Sequence, residues 1–261
     1  MGLLGEVLGD LRDETADLQT ILRPLTPEQW EAPTPAAGWA VRDQVGHLAW
    51  FDDAAVTAVL EPETFTASIP HDRTVDDLAA ATRHLPCDEL LRWFTAARAR
   101  SLDAFATLED KDRVPWYGPA MSAVSFVTAR LMETWAHGQD VADALGLARE
   151  PTPRLRHVAQ IGVRALPYSF LVRGLPVPTD PVRVELVMPD GAAWAIGPDR
   201  VEDVVSGPML DFCLLVTQRV HRDDTALTCA GETANAWLSI AQAFAGPPGK
   251  GRAPSGKPPM A

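Results

Sequence analysis

Residues 41–60, VRDQVGHLAWFDDAAVTAVL, decide the fold. Val41, Val45, Leu48, Phe51, Ala55 and Val59 recur at helical spacing, the pattern of a helix buried along one stripe. Two groups interrupt it. Asp52 falls near the middle of the apolar stripe, and His47 sits one turn before it. A carboxylate taken out of water is costly unless it is paired or ligated. This helix therefore has partners that satisfy both groups, and the rest of the chain must supply them.

Outward from this segment the pattern stays helical. Residues 3–23 place Leu4, Val7, Leu8, Leu11, Leu18, Ile21 and Leu22 on one broad face. Thr26-Pro27-Glu28 is a start signal for a short helical turn, and residues 33–38 read as an irregular loop. EPETFTASIPHDR reads as a linker. Helix is expected again over 74–83 and, after Pro86, over 88–108. EDKDRVPWYGPAM reads as a loop, and a long helix over 122–145 stops at Gly146. Long helices joined by loops predict an antiparallel helix bundle over residues 1–150.

The texture then changes. Residues 151–174 suggest a helix pair bent at Pro167. VRVELVMPDGAAWAIG alternates, turns at Asp190-Gly191 and alternates again, which predicts a hairpin. A strand in VEDVVSG, a helix in PMLDFCLLVTQRV, a strand in ALTCAG and a last helix in ETANAWLSIAQAF complete a small α+β unit over residues 151–245. Residues 246–261, rich in Pro and Gly and without core residues, read as a disordered tail. The fold class is α+β.

Composition excludes several functions. The 261 residues are 46% hydrophobic and carry a net charge of −12. That balance opposes nucleic-acid binding, which neutralises phosphates with Lys and Arg, and docking on an anionic membrane surface. Three scattered cysteines, Cys87, Cys213 and Cys229, with no C-x-x-C, argue against a disulfide framework. No segment reads as a signal peptide or membrane span. A cytoplasmic protein acting on a small molecule is expected; monomer and homodimer are equally compatible with the sequence.

If the helix over 122–145 is a neighbour, its polar residues could join His47. At about 100° per residue, Glu133 and His137 share a face, with Arg130 and Asp140 on the same side. With His47 from the earlier helix they form a possible His2Glu set for a divalent transition metal with an open position. From spacing alone a second reading stands beside it: a Glu–His pair on a wet face and a hydrogen-bonded core histidine. Asp52 either orients a ligand histidine or forms a buried salt bridge. Arg130 either binds an anionic substrate or pairs with Glu133. Asp43 supports the start of its helix. Trp39, Trp116 and Tyr117 flank the site helices, as pocket walls or as packing. His71, His84, His157 and His221 are expected to face solvent.

Two motifs carry a resemblance: G-W-x-V-x-D-x-x-x-H-L, here Gly38, Trp39, Val41, Asp43, His47 and Leu48, and E-x-x-x-H-G-x-D, here Glu133, His137, Gly138 and Asp140. Together they resemble the mycothiol-dependent maleylpyruvate isomerase family, within the DinB-like four-helix-bundle superfamily, and in particular its actinobacterial metal-binding branch. DGAAWAIG, VSGPMLDFCLLVTQR and CAGETANAWLSIAQAF resemble the sterol-carrier-protein-like domain that follows the bundle in this family. The resemblance implies a metal triad of His47, Glu133 and His137, usually with zinc. It also implies a thiol cosubstrate, mycothiol, for thiol transfer or cis–trans isomerisation of an electrophile. Two alternatives remain: a hydrolytic or Lewis-acid metalloenzyme that uses no thiol, and a non-catalytic protein that binds an apolar ligand.

Overall fold

The computed structural model describes residues 2–69 and 73–256. The chain divides into two compact units, Met1–Arg149 and Glu150–Ala261. In the first unit, α1 (Leu3–Leu22) is followed by the short α2 (Pro27–Trp30), α3 (Val41–Leu60), α4 (Pro62–Ser68), α5 (Val75–Ala80) and α6 (Cys87–Phe105). A two-residue hairpin, β1 (Arg113–Val114) and β2 (Met121–Ser122), leads into α7 (Ala123–Leu145).

The ends of these helices follow from local chemistry. Thr26 caps α2 through a capping box with Gln29: the Thr26 side chain accepts from the Gln29 amide, and the Gln29 side chain accepts from the Thr26 N–H at 2.9 Å. Ser122 caps α7 by accepting from the Ser125 amide at 3.3 Å. Gly146 closes it in the left-handed conformation, φ 64° and ψ 30°, which costs glycine no side-chain clash.

Helices α1, α3, α6 and α7 form the four-helix bundle. Cross-helix pairs give its topology. Thr15 of α1 meets Arg98 of α6, and Gln19 meets Thr95, so α1 and α6 are antiparallel. Gln44 of α3 meets His137 of α7 and Asp52 meets Arg130, so these two are also antiparallel. Arg42 at the start of α3, however, reaches the Leu85 carbonyl just before α6, and Asp52 and Asp53 reach Arg98 and Arg100. Helices α3 and α6 are therefore parallel, which corrects the all-antiparallel expectation. Parallel neighbours need a connection long enough to return. Residues 61–86 provide it, and the stretch read as a linker contains α4. Likewise β1 and β2 lie within the stretch read as a loop.

The bundle core gathers Leu18 and Leu22 from α1, Val41, Val45, Leu48 and Ala49 from α3, Leu90 and Phe94 from α6, and Val141 from α7, with Trp30 at one end. Each such Leu, Val or Phe side chain contributes about 1.5–3 kcal/mol when fully buried. Gly46 lets residue 82 approach α3. A Cβ there would lie 2.3 Å from Thr82 Oγ1.

The second unit holds α8 (Leu155–Arg164) and α9 (Leu166–Leu171), the latter with Pro167 in its first turn. Strands β3 (Val182–Val187), β4 (Ala193–Ile196), β5 (Asp203–Pro208) and β6 (Thr228–Ala230), with α10 (Met209–Val216) and α11 (Glu232–Leu238), complete it. The sheet order is β4-β3-β5-β6, with β3 and β5 parallel and the outer pairs antiparallel. The expected turn at Asp190-Gly191 is present, with Gly191 at φ 83°. Val184, Leu186 and Val205 are buried, as are Met209, Phe212 and Cys213 of α10 and Trp237 of α11.

One expectation changes here. The last helix ends at Leu238, not near residue 244. Beyond it the Gln242 amide donates to Ser169 Oγ at 3.0 Å, which ties the chain to α9 rather than to a further helical turn. Residues 246–256 carry no helix or strand, and several of them make hydrogen bonds. Tyr168 Oη accepts from the Gly246 amide at 2.9 Å, Gln242 Oε1 from the Gly249 amide at 2.9 Å, and Asp224 from Ser255 at 2.6 and 2.8 Å. Residues 257–261 of the expected tail lie outside the described residues. No helix among the described residues is long and apolar enough to cross a membrane.

Candidate metal centre

Helices α3 and α7 bring His47, Glu133 and His137 together. One ligand atom from each lies within 4.8 Å of the others. Glu133 Oε2 stands between the two rings, 3.4 Å from His47 Nε2 and 3.1 Å from His137 Nε2. The ring centroids of the two histidines are 4.3 Å apart. The i,i+4 spacing puts Glu133 and His137 on one face of α7, and the α3–α7 contact delivers His47 to it.

The site is largely enclosed. Side-chain exposure is 8% for His47 and 12% for His137, against 23% for Glu133, so access from solvent runs along the carboxylate. Burial, and then the neighbouring His137 charge, push His47 down to about 4, so its imidazole is neutral at pH 7. Burial alone raises the Glu133 carboxyl. The hydrogen bonds and charges of His137 and His47 outweigh that, and the group is held well below the ordinary glutamate value. Two imidazoles and an ionised carboxylate thus converge on one small volume. That donor set suits a borderline divalent cation.

Aromatic rings surround the cluster. Trp39 lies nearly parallel to His137, centroids 5.9 Å apart, and 5.4 Å from the His47 ring. Its indole N–H donates to Asp76 at 2.8 Å. The loop that carries Trp39 is pinned by Arg83, which donates to the Gly38 carbonyl at 2.8 Å and forms a two-pronged pair with Asp43. Asp43 also accepts from the Ala40 amide at 2.8 Å, the expected support for the start of α3. On the other side Phe51 is 4.6 Å from the His47 ring. Trp116 and Tyr117 pack on Phe51, and Trp116 stacks on Phe65 of α4 with the ring planes 4° apart. The two loop aromatics are therefore both wall and packing.

The remaining residues singled out in the sequence lie beside this cluster. Asp52 is fully buried and touches no imidazole. It accepts from Arg98 at 2.7 and 3.2 Å and from Arg130 at 3.1 and 3.3 Å. The salt-bridge reading of Asp52 holds, and the ligand-orienting one is corrected. Arg130 pairs with Asp52 rather than with Glu133. Asp140 is buried on α7 but is not one of the three converging ligand residues. His84 is exposed and His221 half-buried, whereas His157 is buried, contrary to the solvent-facing expectation. His71 lies outside the described residues. Cys87, Cys213 and Cys229 are free thiols.

Two site residues escaped the sequence reading. Arg98 lies on the apolar stripe of α6 between Leu90, Phe94 and Phe105, and a charge on such a stripe was the available signal. Gln44, fully buried, lies one turn before His47, and its Oε1 contacts His137 Nδ1.

The sequence matches the family described as the mycothiol maleylpyruvate isomerase N-terminal domain over residues 11–142. The chain belongs to this family. All three residues of the cluster fall within the matched segment. Outside the bundle, likeness to relatives extends over nearly the whole chain. Two uncharacterized proteins from two strains of Mycobacterium tuberculosis are each 45% identical over 253 residues, covering 95% of this chain and 98% of theirs. Among solved structures, that of the mycothiol-dependent maleylpyruvate isomerase matches with a TM-score of 0.60 at 18% identity, covering 87% of this chain and 92% of that one. A histidine-to-alanine variant of the same isomerase matches at 0.58, covering 83% and 89%. These structural matches establish that this member of the mycothiol maleylpyruvate isomerase family shares its α+β fold with that enzyme.

Proposed function

We propose that this chain is a divalent-metal enzyme that uses a low-molecular-weight thiol on an electrophilic small molecule, by thiol transfer or cis–trans isomerisation. The observation that carries this reading is the convergence of His47, Glu133 and His137 from two helices in a chain of the mycothiol maleylpyruvate isomerase family. The structurally similar protein is described as mycothiol-dependent, and mycothiol is accordingly the thiol we propose. The donor set favours zinc. Free cysteines support a reducing, cytoplasmic setting.

When bound, the ion supplies positive charge that keeps an entering thiol deprotonated at neutral pH, where a free thiol, of pKa about 8.5, is mostly protonated. The chain's own residues do the rest. His47 and His137 offer neutral nitrogen ligands and Glu133 one negative charge. Trp39 and Phe51 flank the imidazoles with apolar rings that keep bulk water from them. Trp116 and Tyr117 extend that wall for the electrophile. The thiol sulfur forms a bond to one carbon of an activated double bond, whose electron pair moves onto the activating group. The remaining single bond rotates, the electron pair returns, and the carbon–sulfur bond breaks. In the transfer reaction the carbon–sulfur bond is kept and the carbanion takes a proton from solvent, equal to the one the thiol released on deprotonation.

Elemental analysis of the purified parent beside the His47→Ala and Glu133→Ala variants tests the triad. Stoichiometric metal in the parent and its loss from both variants is expected. Metal that persists unchanged in both sinks the assignment. Turnover of an activated cis-alkene with and without mycothiol tests the thiol, and turnover indifferent to it favours the thiol-free metalloenzyme.

A further inference from the structure

The imidazole of His137 is held by a chain of hydrogen bonds whose direction can be read from one end to the other. It begins at Thr34, whose hydroxyl faces the Trp39 carbonyl at 2.9 Å and the Ala36 carbonyl at 3.5 Å. Carbonyl oxygens only accept, so the single hydroxyl proton of Thr34 is spent on them. Toward Gln44, 2.9 Å away, Thr34 Oγ1 can then only accept. The Gln44 amide must therefore present its NH2 to Thr34, which fixes the otherwise ambiguous amide orientation. Its Oε1 consequently faces His137 Nδ1. An amide oxygen accepts, so Nδ1 must carry the proton. His137 Nε2 is left as the nitrogen that faces the volume shared with Glu133 Oε2 and His47 Nε2.

His47 has no such support. Its Nδ1 is buried without a hydrogen-bond partner. The two histidines are thus inequivalent: one is held from behind in a single tautomer and the other by packing between Trp39 and Phe51.

We infer that Gln44 is a positioning residue that locks His137 in the Nδ1–H tautomer, with Thr34 as the group that sets the direction of the lock. The inference deepens the metal reading and rests on it for its purpose, but not for its test. Gln44 is fully buried, so its amide has no water with which to satisfy the alternative orientation, and a flip would leave an NH2 facing an N–H or a hydroxyl oxygen facing an amide oxygen. Outer partners of this kind fix the ring and the tautomer of ligating histidines generally, and their loss lowers metal affinity about 10–100-fold.

The test uses the full chain with 15N-labelled histidine. Long-range 1H–15N correlations report the tautomer of each ring, and the His137 signals are assigned by their absence in His137→Gln. In chelator-treated parent protein His137 is expected to carry a proton on Nδ1, with or without a second on Nε2 toward Glu133. A parent in which it is the Nε2–H form overturns the lock. Thr34→Val, which keeps shape but removes the acceptor, is expected to give a mixture of tautomers at His137 and leave His47 unchanged; an unaltered His137 pattern removes Thr34 from the proposal. Zinc affinity by chelator competition then separates the two readings. Gln44→Leu is expected to lose about 10–100-fold and Gln44→Glu, which keeps an acceptor, to retain binding; equal affinity in all three proteins overturns the positioning role. A parent that shows the tautomer but takes up no zinc refutes the metal reading while the lock stands.

Discussion

Arg130 turns away from Glu133, three residues further along α7, and binds Asp52 on α3 instead. Arg98 of α6 binds the other side of Asp52 and reaches Thr15 of α1 and Thr134 of α7. One carboxylate thus ties together all four bundle helices, directly to α6 and α7 and through Arg98 to α1. Arg130 also lies 6.0 Å over the Phe51 ring, the ring that flanks His47.

Removing this carboxylate leaves two guanidinium groups buried and unpaired. Asp52→Ala is expected to cost about 3–5 kcal/mol of stability. Arg98→Met is expected to cost less, because Asp52 keeps Arg130. Urea unfolding of the three proteins gives the ranking, and a near-neutral Asp52→Ala would contradict the network.

Zinc binding to the folded state alone raises its stability. At about 100 times its dissociation constant the gain is about 2.7 kcal/mol. The parent is expected to show a concentration-dependent rise in Tm, and His47→Ala and Glu133→Gln none. Calorimetry with and without zinc checks this, with chelator-treated protein as the reference.

The metal-free protein should lose stability in acid in a defined window. His47 is held at about 4 in the fold, by burial and then by His137, and stands at 6.5 when unperturbed. The unfolded chain therefore binds the extra proton first. This contribution is complete above pH 6.5, declines as the pH falls, and is gone below about 4, for a total of roughly 3 kcal/mol. Glu133, also depressed in the fold, acts with the same sign at lower pH: its contribution is present above the ordinary glutamate range and is lost as its folded value is passed. Denaturant midpoints between pH 7 and 4 in the presence of chelator are expected to fall more steeply for the parent than for His47→Gln.

Gly46→Ala offers a test of the close approach between α3 and residue 82. Alanine is the better helix former by about 1 kcal/mol, yet its Cβ would lie 2.3 Å from Thr82 Oγ1, which is committed to the Ala79 carbonyl at 2.8 Å. A net loss of about 1–3 kcal/mol is expected. Thr82→Ala in the same chain should recover part of it, since the clashing hydroxyl is gone. Thermal melts of the single and double variants decide it.

The elements that could be read from the sequence were those with a local cause. Helix α7 stops at Gly146 because the left-handed cap favours glycine, and the β3–β4 hairpin turns at Asp190-Gly191 for a related reason. Helix α4 was hidden in a segment whose prolines and polar residues look like a linker. The packing of Phe65 on Trp116 holds it, and a contact with a residue so distant in the chain has no local signature. The hydrogen bonds of residues 246–256 to acceptors on Gln218, Asp224 and Gln242 have no local signature either.

The candidate site divides along the same line. Glu133 and His137 share a helix face because 3.6 residues per turn leaves no choice, and Asp52 needed a partner because a buried carboxylate does. Which partners they meet depends on helix packing. The parallel pairing of α3 and α6 gives Asp52 to Arg98, and the antiparallel pairing of α3 and α7 gives His47 to Glu133 and Gln44 to His137. Helical periodicity fixes the direction in which a side chain leaves its own axis. Which other axis it meets, and at what height, depends on how four helices pack together.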